Sequence, residues 1–278
     1  MDDNEIELGR IPAQRELPEP VKFAWPIVLL PELFTTPRHL ALVLGYLASI
    51  GWEVFVPDLR AAFGKGATPS LEKLHFNDLT ALAGEAIEGM GRDAVVLGHG
   101  VGGLIALKLS ERRRVKAAVA YAPLAPGFRT PLVGGFANRL AMMLGGPIKP
   151  PHGRILFELI ADSDPFTRDG LINAMVPDSG ALASDVTSGA IEFAAADKAA
   201  PRLVVAGDSD IFAPLPQTTK FAESIGAKMA TIAGRGHWLI GGRALERAIN
   251  ETQRFLVRAL GQDLLLLYPE EWKNEPGD

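Results

Sequence analysis

A chain of 278 residues, 47% apolar and 22% charged, fits one large α/β domain or two small ones and can bury a substantial core. Its formal net charge of −5 provides no basic footprint, which argues against a nucleic-acid partner. There is no cysteine, so disulfides, thiolate metal sites and a cysteine nucleophile are excluded.

The start, Met1-Asp2-Asp3-Asn4-Glu5, is acidic and lacks the basic-then-apolar pattern of a secretory signal. No apolar run approaches the roughly 20 residues of a membrane helix, so a cytoplasmic protein without a membrane span is expected. Residues 1–25 are polar and proline-bearing and read as a tail or lead-in. Short apolar runs follow at 26–30, 54–56, 94–97, 117–120, 203–206 and 229–232. Such runs, rich in Val and Ile, suit strands covered on both faces. Helical stretches lie between them at 37–50, 71–90, 101–114, 216–225 and 243–260, the first opened by Thr36-Pro37 as N-cap and first-turn proline. Strand–helix alternation predicts a doubly wound, mostly parallel sheet.

Residues 123–201 break this rhythm with proline, glycine and helix-like segments at 136–144 and 154–161, and read as a helical lid inserted in a core of 26–122 and 202–260. Phe136, Met142, Met143, Leu144, Phe157 and Phe166 there suit either an apolar ligand or the cover of a core. The end, 261–278, carries Leu264-Leu265-Leu266-Leu267 and Trp272 and reads as a tail that docks on its own domain or on a protein partner.

The chemistry concentrates in three segments. In Ala94-Val95-Val96-Leu97-Gly98-His99-Gly100-Val101-Gly102-Gly103 a buried strand turns sharply into a helix, and glycines permit the close approach such a turn needs. Gly98, Gly100 and Gly103 match the spacing of a dinucleotide loop, but this is the third recognisable strand, and no acidic residue near Tyr121 awaits a ribose. The second segment is Gly207-Asp208-Ser209-Asp210, after the run 203–206. The third is Gly234-Arg235-Gly236-His237-Trp238, after the run 229–232.

The first segment resembles the nucleophile elbow of the α/β-hydrolase fold family, Gly-x-Ser-x-Gly, with Gly100 where the family carries its serine. The second resembles the family's acid loop, with Asp210 as the triad acid and Asp208 as the fallback. The third matches the loop that holds the catalytic histidine, here His237. Elbow, acid and histidine stand in the family's chain order, and the resemblance spans about 26–260. It implies an α/β-hydrolase fold, a Val101 N–H in the oxyanion hole, and a second donor from Leu33 or Phe34. His99 is expected to pack near the pocket floor. Where the family usually has His-Gly, this chain has Pro31-Glu32. Glu32 beside an oxyanion is unfavourable unless it points away or is itself a base, and a solvated loop position is expected. The segment from Asp58 to Gly64 resembles another family loop with a glycine lost. No histidine pair has metal-ligand spacing, so neither metal nor cofactor is expected.

Removing the serine from a Ser-His-Asp triad costs roughly 10⁶-fold in turnover. Three readings stand. The chain is a degenerate hydrolase that binds a small apolar molecule or a partner. Alternatively His237, oriented by Asp210, acts as a general base without a covalent intermediate. Or it is a serine ester hydrolase with its nucleophile replaced, acting on an ester-like substrate. Whether it is an enzyme is left open.

Overall fold

The computed structural model describes residues 4–61 and 73–266. The end of the loop from Asp58 to Gly64, the first residues of the helix expected at 71–90, and most of the expected C-terminal tail lie outside the described residues.

An eight-stranded sheet runs through the molecule in the order β1-β2-β4-β3-β5-β6-β9-β10. Its strands are β1 Glu5–Leu8, β2 Ile11–Glu16, β3 Ile27–Leu30, β4 Val54–Pro57, β5 Ala94–His99, β6 Val115–Tyr121, β9 Arg202–Gly207 and β10 Lys228–Ile232. β3, β4, β5, β6, β9 and β10 are parallel, while β2 joins β4 antiparallel and β1 joins β2 antiparallel. Every residue of β3, β4, β5 and β9 is buried, as their apolar runs require, with the polar Arg202 and His99 at the strand ends. Helices α1 Ala41–Ser49, α2 Phe76–Gly89, α3 Val101–Leu109 and α8 Leu215–Ser224 connect the strands, and α9 Gly242–Leu260 follows the last one, in the predicted alternation. The fold is the expected doubly wound α/β architecture.

Two regions differ from expectation. Residues 5–16 form a hairpin that extends the sheet, where a tail or lead-in was read. Gly9, at φ +65°, opens its two-residue turn between Leu8 and Ile11. Only Ile11 and Ala13 of β2 are buried, and Pro12 lies between them, so the alternation is too brief to read as a strand. At the other end, Leu264 is buried and Leu265 bridges Phe23, so the last described residues lie against their own domain.

Between β6 and β9 the chain leaves the sheet. This insertion contains α4 Phe136–Leu144, β7 Pro147–Ile148, α5 Gly153–Leu159, α6 Arg168–Asn173, β8 Asp178–Ser179 and α7 Gly180–Ser188, with β7 and β8 antiparallel. Its Leu132, Val133, Ile148, Leu159, Ile160 and Leu182 join the same apolar core as β3 and α3. Of the aromatic and Met residues singled out from the sequence, only Met142 packs against it. Phe136, Met143, Leu144, Phe157 and Phe166 face solvent, and Met142 is half-buried. Among the described residues, no helix is long and apolar enough to cross a membrane.

Candidate active site

β5 ends at His99 and α3 begins at Val101, so Gly100 is the whole of the turn between them. Its backbone sits at φ +53°, ψ −115°, a conformation that costs a residue with a side chain about 1–3 kcal/mol. The neighbouring glycines keep the turn tight: a Cβ on Gly98 would lie 2.1 Å from the Gly102 carbonyl oxygen.

Glu32, in the loop after β3, reaches into this turn. The Leu33 N–H donates to its Oε1 at 2.6 Å and the Val101 N–H donates to the same oxygen at 3.0 Å. The carboxylate thus caps the N-terminus of α3, where free amides and the helix dipole favour an anion. Its Oε2 stands 3.1 Å from His237 Nε2. The other side of the imidazole is equally occupied, with Nδ1 2.8 Å from Asp210 Oδ2. Asp210 is in turn held through Oδ1 by the N–H groups of Phe212 and Ala213, at 2.7 and 2.9 Å. Both ring nitrogens therefore face carboxylate oxygens, and with both carboxylates ionised each nitrogen donates a proton.

The energetics agree. Burial alone would lower the pKa of His237, but the charge and hydrogen bond of Asp210, joined by those of Glu32, outweigh it and raise the pKa to about 10. Burial would raise Asp210, yet the His237 charge and the bonds it accepts hold it below its ordinary value. His237 is an imidazolium between two anions, and neither it nor Glu32 is exposed by more than 1%. A cleft of about 200 Å³ reaches His237 past Phe212 and Gly236, but its lining includes neither Glu32 nor Gly100.

The model of the alpha/beta hydrolase family matches residues 24–249. The chain belongs to the alpha/beta hydrolase family. Solved structures with the same fold include a monoacylglycerol lipase from Paleococcus ferrophilus, 20% identical, covering 88% of this chain and 98% of that one, with a TM-score of 0.65. A thermophilic esterase from Thermogutta terrifontis is 17% identical over 90% of this chain and 94% of its own, with a TM-score of 0.63. A serine hydrolase from Cycloclasticus zankles is 17% identical over 93% and 98%, with a TM-score of 0.65. No curated protein matches the sequence.

Of the residues singled out on the hydrolase resemblance, Gly100, Val101, Leu33, Glu32, Asp210, His237 and His99 come together in one buried cluster. Asp208 does not join it: it is exposed and accepts from Gly234 N–H and the Ser209 hydroxyl. Phe34, offered as an alternative oxyanion donor, spends its N–H on Asp178 Oδ2 at 2.8 Å. The expectation for Glu32 is corrected. It is fully buried rather than solvated, because two amides and an imidazolium replace the water a carboxylate would lose.

His99 donates through Nε2 to the His237 carbonyl at 2.8 Å, packs edge-on against Trp238, and has no hydrogen-bond partner at Nδ1. Burial, reinforced by the neighbouring His237 charge, lowers its pKa to about 4, so it is neutral. Donor atoms of Glu32, His99 and His237 lie within 4.8 Å of one another, a trio that sequence spacing does not reveal. Glu32 and His237 already neutralise each other there, and a cation would first have to displace the proton they share.

Sequence reasoning missed the clamp that holds Glu32 in place. Arg60 donates to the carbonyls of Thr35 and Glu32 and pairs with Asp178 of β8. Phe34, at φ +64°, is held by Asp178 through its N–H and by the Val176 N–H through its carbonyl. The insertion thereby grips the loop that carries Glu32. No local motif marks Asp178, which acts 144 residues away from Phe34.

Proposed function

We propose that this chain is a non-hydrolytic member of its family, in which the centre for acyl transfer has become an internally neutralised Asp210–His237–Glu32 network, and that it acts by binding. One observation carries the reading: a Cβ on Gly100 would lie 1.1 Å from Glu32 Oε2. The Glu32 carboxylate fills the space where a nucleophile's side chain would begin. Its other oxygen takes both amides that an oxyanion would use. No single replacement of a serine explains this, since the obstructing group comes from a different loop.

General-base catalysis by His237 is the second reading, favoured by its contact with Asp210 at 2.8 Å. Against it stands the proton already on Nε2, held by Glu32. A base must be free to accept, and this one is saturated.

The test compares hydrolysis of short-chain activated esters, and labelling by a serine-directed phosphonate, in the parent chain, Gly100→Ser, and Glu32→Gly/Gly100→Ser. The expected result is no turnover and no label for the parent and the single variant, with label at position 100 in the double variant. Ester turnover by the parent itself would overturn the proposal in favour of water activated by His237.

A further inference from the structure

We infer that α4 and its flanks form a docking surface for an anionic lipid bilayer, on which the protein lies without spanning it. This surface is separate from the buried centre, and the inference does not rest on the proposed loss of hydrolysis.

The helix has an unusual disposition. None of the nine residues of α4 is buried. Phe136, Leu140, Met143 and Leu144 are 84, 43, 82 and 75% exposed. At 3.6 residues per turn, positions i, i+4, i+7 and i+8 fall within a stripe about 100° wide. Ala141 and Met142, on the opposite side, pack against the core. The helix is therefore anchored through its less apolar face and presents its large apolar side chains outward. Among the described residues nothing covers them. An exposed contiguous apolar patch of this kind marks an interaction surface.

Charge selects the occupant. The whole chain carries a net charge of −5, yet there is no Asp or Glu between Glu111 and Glu158. Arg139 lies on α4 at the edge of the apolar stripe. Lys149 is exposed and is tied to the side of α4 away from the stripe, where Asn138 bonds its N–H and its carbonyl, each at 3.0 Å. Asp178, on β8 just before α7, is paired with Arg60, and Asp185 of α7, which packs on α4, is hydrogen-bonded to His75. The charge on α4 itself is thus positive on a negative protein, with Arg139 beside the stripe. An apolar stripe flanked by an arginine, in a stretch of chain without acidic residues, matches the interface of an anionic bilayer, where apolar side chains enter the acyl boundary and Arg meets headgroup phosphates. A second copy of this chain would bring the same positive charges against each other.

The absence of cysteine gives a clean probe, because Met143→Cys can be labelled with an environment-sensitive fluorophore at that position alone. The labelled full-length chain is titrated with phosphatidylcholine vesicles with and without phosphatidylglycerol. The expected result is a blue shift with the anionic vesicles and little with the neutral ones. Phe136→Ser/Leu144→Ser in the same background should weaken binding about tenfold or more. Arg139→Gln should weaken it about fivefold, with a smaller effect for Lys149→Gln on the far side of the helix, and added salt should weaken it too. All these residues are exposed, so unchanged melting temperatures verify folding. Absence of binding to either vesicle overturns the inference. So does binding that is indifferent to Phe136→Ser/Leu144→Ser. A concentration-dependent dimer in sedimentation equilibrium that the same pair dissolves, without vesicle binding, assigns the stripe to a second copy instead.

Discussion

Glu32 and Gly100 exclude one another's alternatives: the Glu32 carboxylate occupies the volume that any side chain on Gly100 would enter, with Oε2 1.1 Å from the position of its Cβ. Gly100 permits the buried carboxylate, and the buried carboxylate forbids a serine. Gly100 and Glu32 are therefore one structural unit built from two loops.

The coupling is measurable. Gly100→Ser forces Glu32 off its two amides and its imidazolium, leaving a buried charge without partners, which costs about 3–5 kcal/mol. Strain at φ +53° adds about 1–3 kcal/mol. Glu32→Gly removes the same charge network and is also destabilising. In Glu32→Gly/Gly100→Ser the clash is gone, so the loss should be smaller than the sum of the singles by more than 1 kcal/mol. Urea unfolding of the four proteins closes the cycle, and additive losses would show that the two residues are not coupled.

Stability should also depend on alkaline pH. His237 has its pKa raised in the fold to about 10, against an ordinary value of 6.5. Its contribution is fully present below about pH 6.5, where both folded and unfolded chains hold the proton. Between pH 6.5 and 10 the unfolded chain releases the proton first, so the folded state loses its advantage as pH rises. The slope is at most about 1.4 kcal/mol per pH unit. Unfolding free energies across this range should fall for the parent and stay nearly flat for His237→Gln. Asp210 acts with the opposite sign: its lowered pKa stabilises above about 3.8, and that share is lost as pH falls through the folded value.

The legible and illegible parts of this chain differ in how far their causes lie along it. β3 and β5 are continuous apolar runs of Val and Leu, and the turn Gly98-His99-Gly100 follows from residues in immediate succession, so both read directly from the sequence. Asp210 and His237 were legible through the order of three loops. The position of Glu32 was not, because its contacts to Val101 and His237 span 69 and 205 residues and depend on the packed loops. A loop Glu in isolation belongs in water. Only the folded arrangement of two amides and an imidazolium makes burial favourable. The outward stripe on α4 was hidden for the converse reason: its apolar residues look like core until the structure shows them facing out.

The last prediction concerns Asp178, which is 1% exposed and joins the insertion to the loop of Glu32. Asp178→Asn keeps the shape and an acceptor for Phe34 N–H but removes the charge facing Arg60, whose side chain is 15% exposed. Breaking a buried pair in this way costs about 3 kcal/mol. Asp185→Asn, at the more exposed pair with His75, is the control and should cost within about 1 kcal/mol. The loss at Asp178 should reach the centre. With the loop loosened, Glu32 holds His237 less firmly, so the imidazolium should titrate below its present value of about 10. Hydrogen exchange at the Leu33 and Phe34 amides should quicken in Asp178→Asn and not in Asp185→Asn. If both variants lose equally little, and His237 titrates unchanged, then the clamp does not hold Glu32, and β3 and the Val101 amide alone suffice to keep the carboxylate in place.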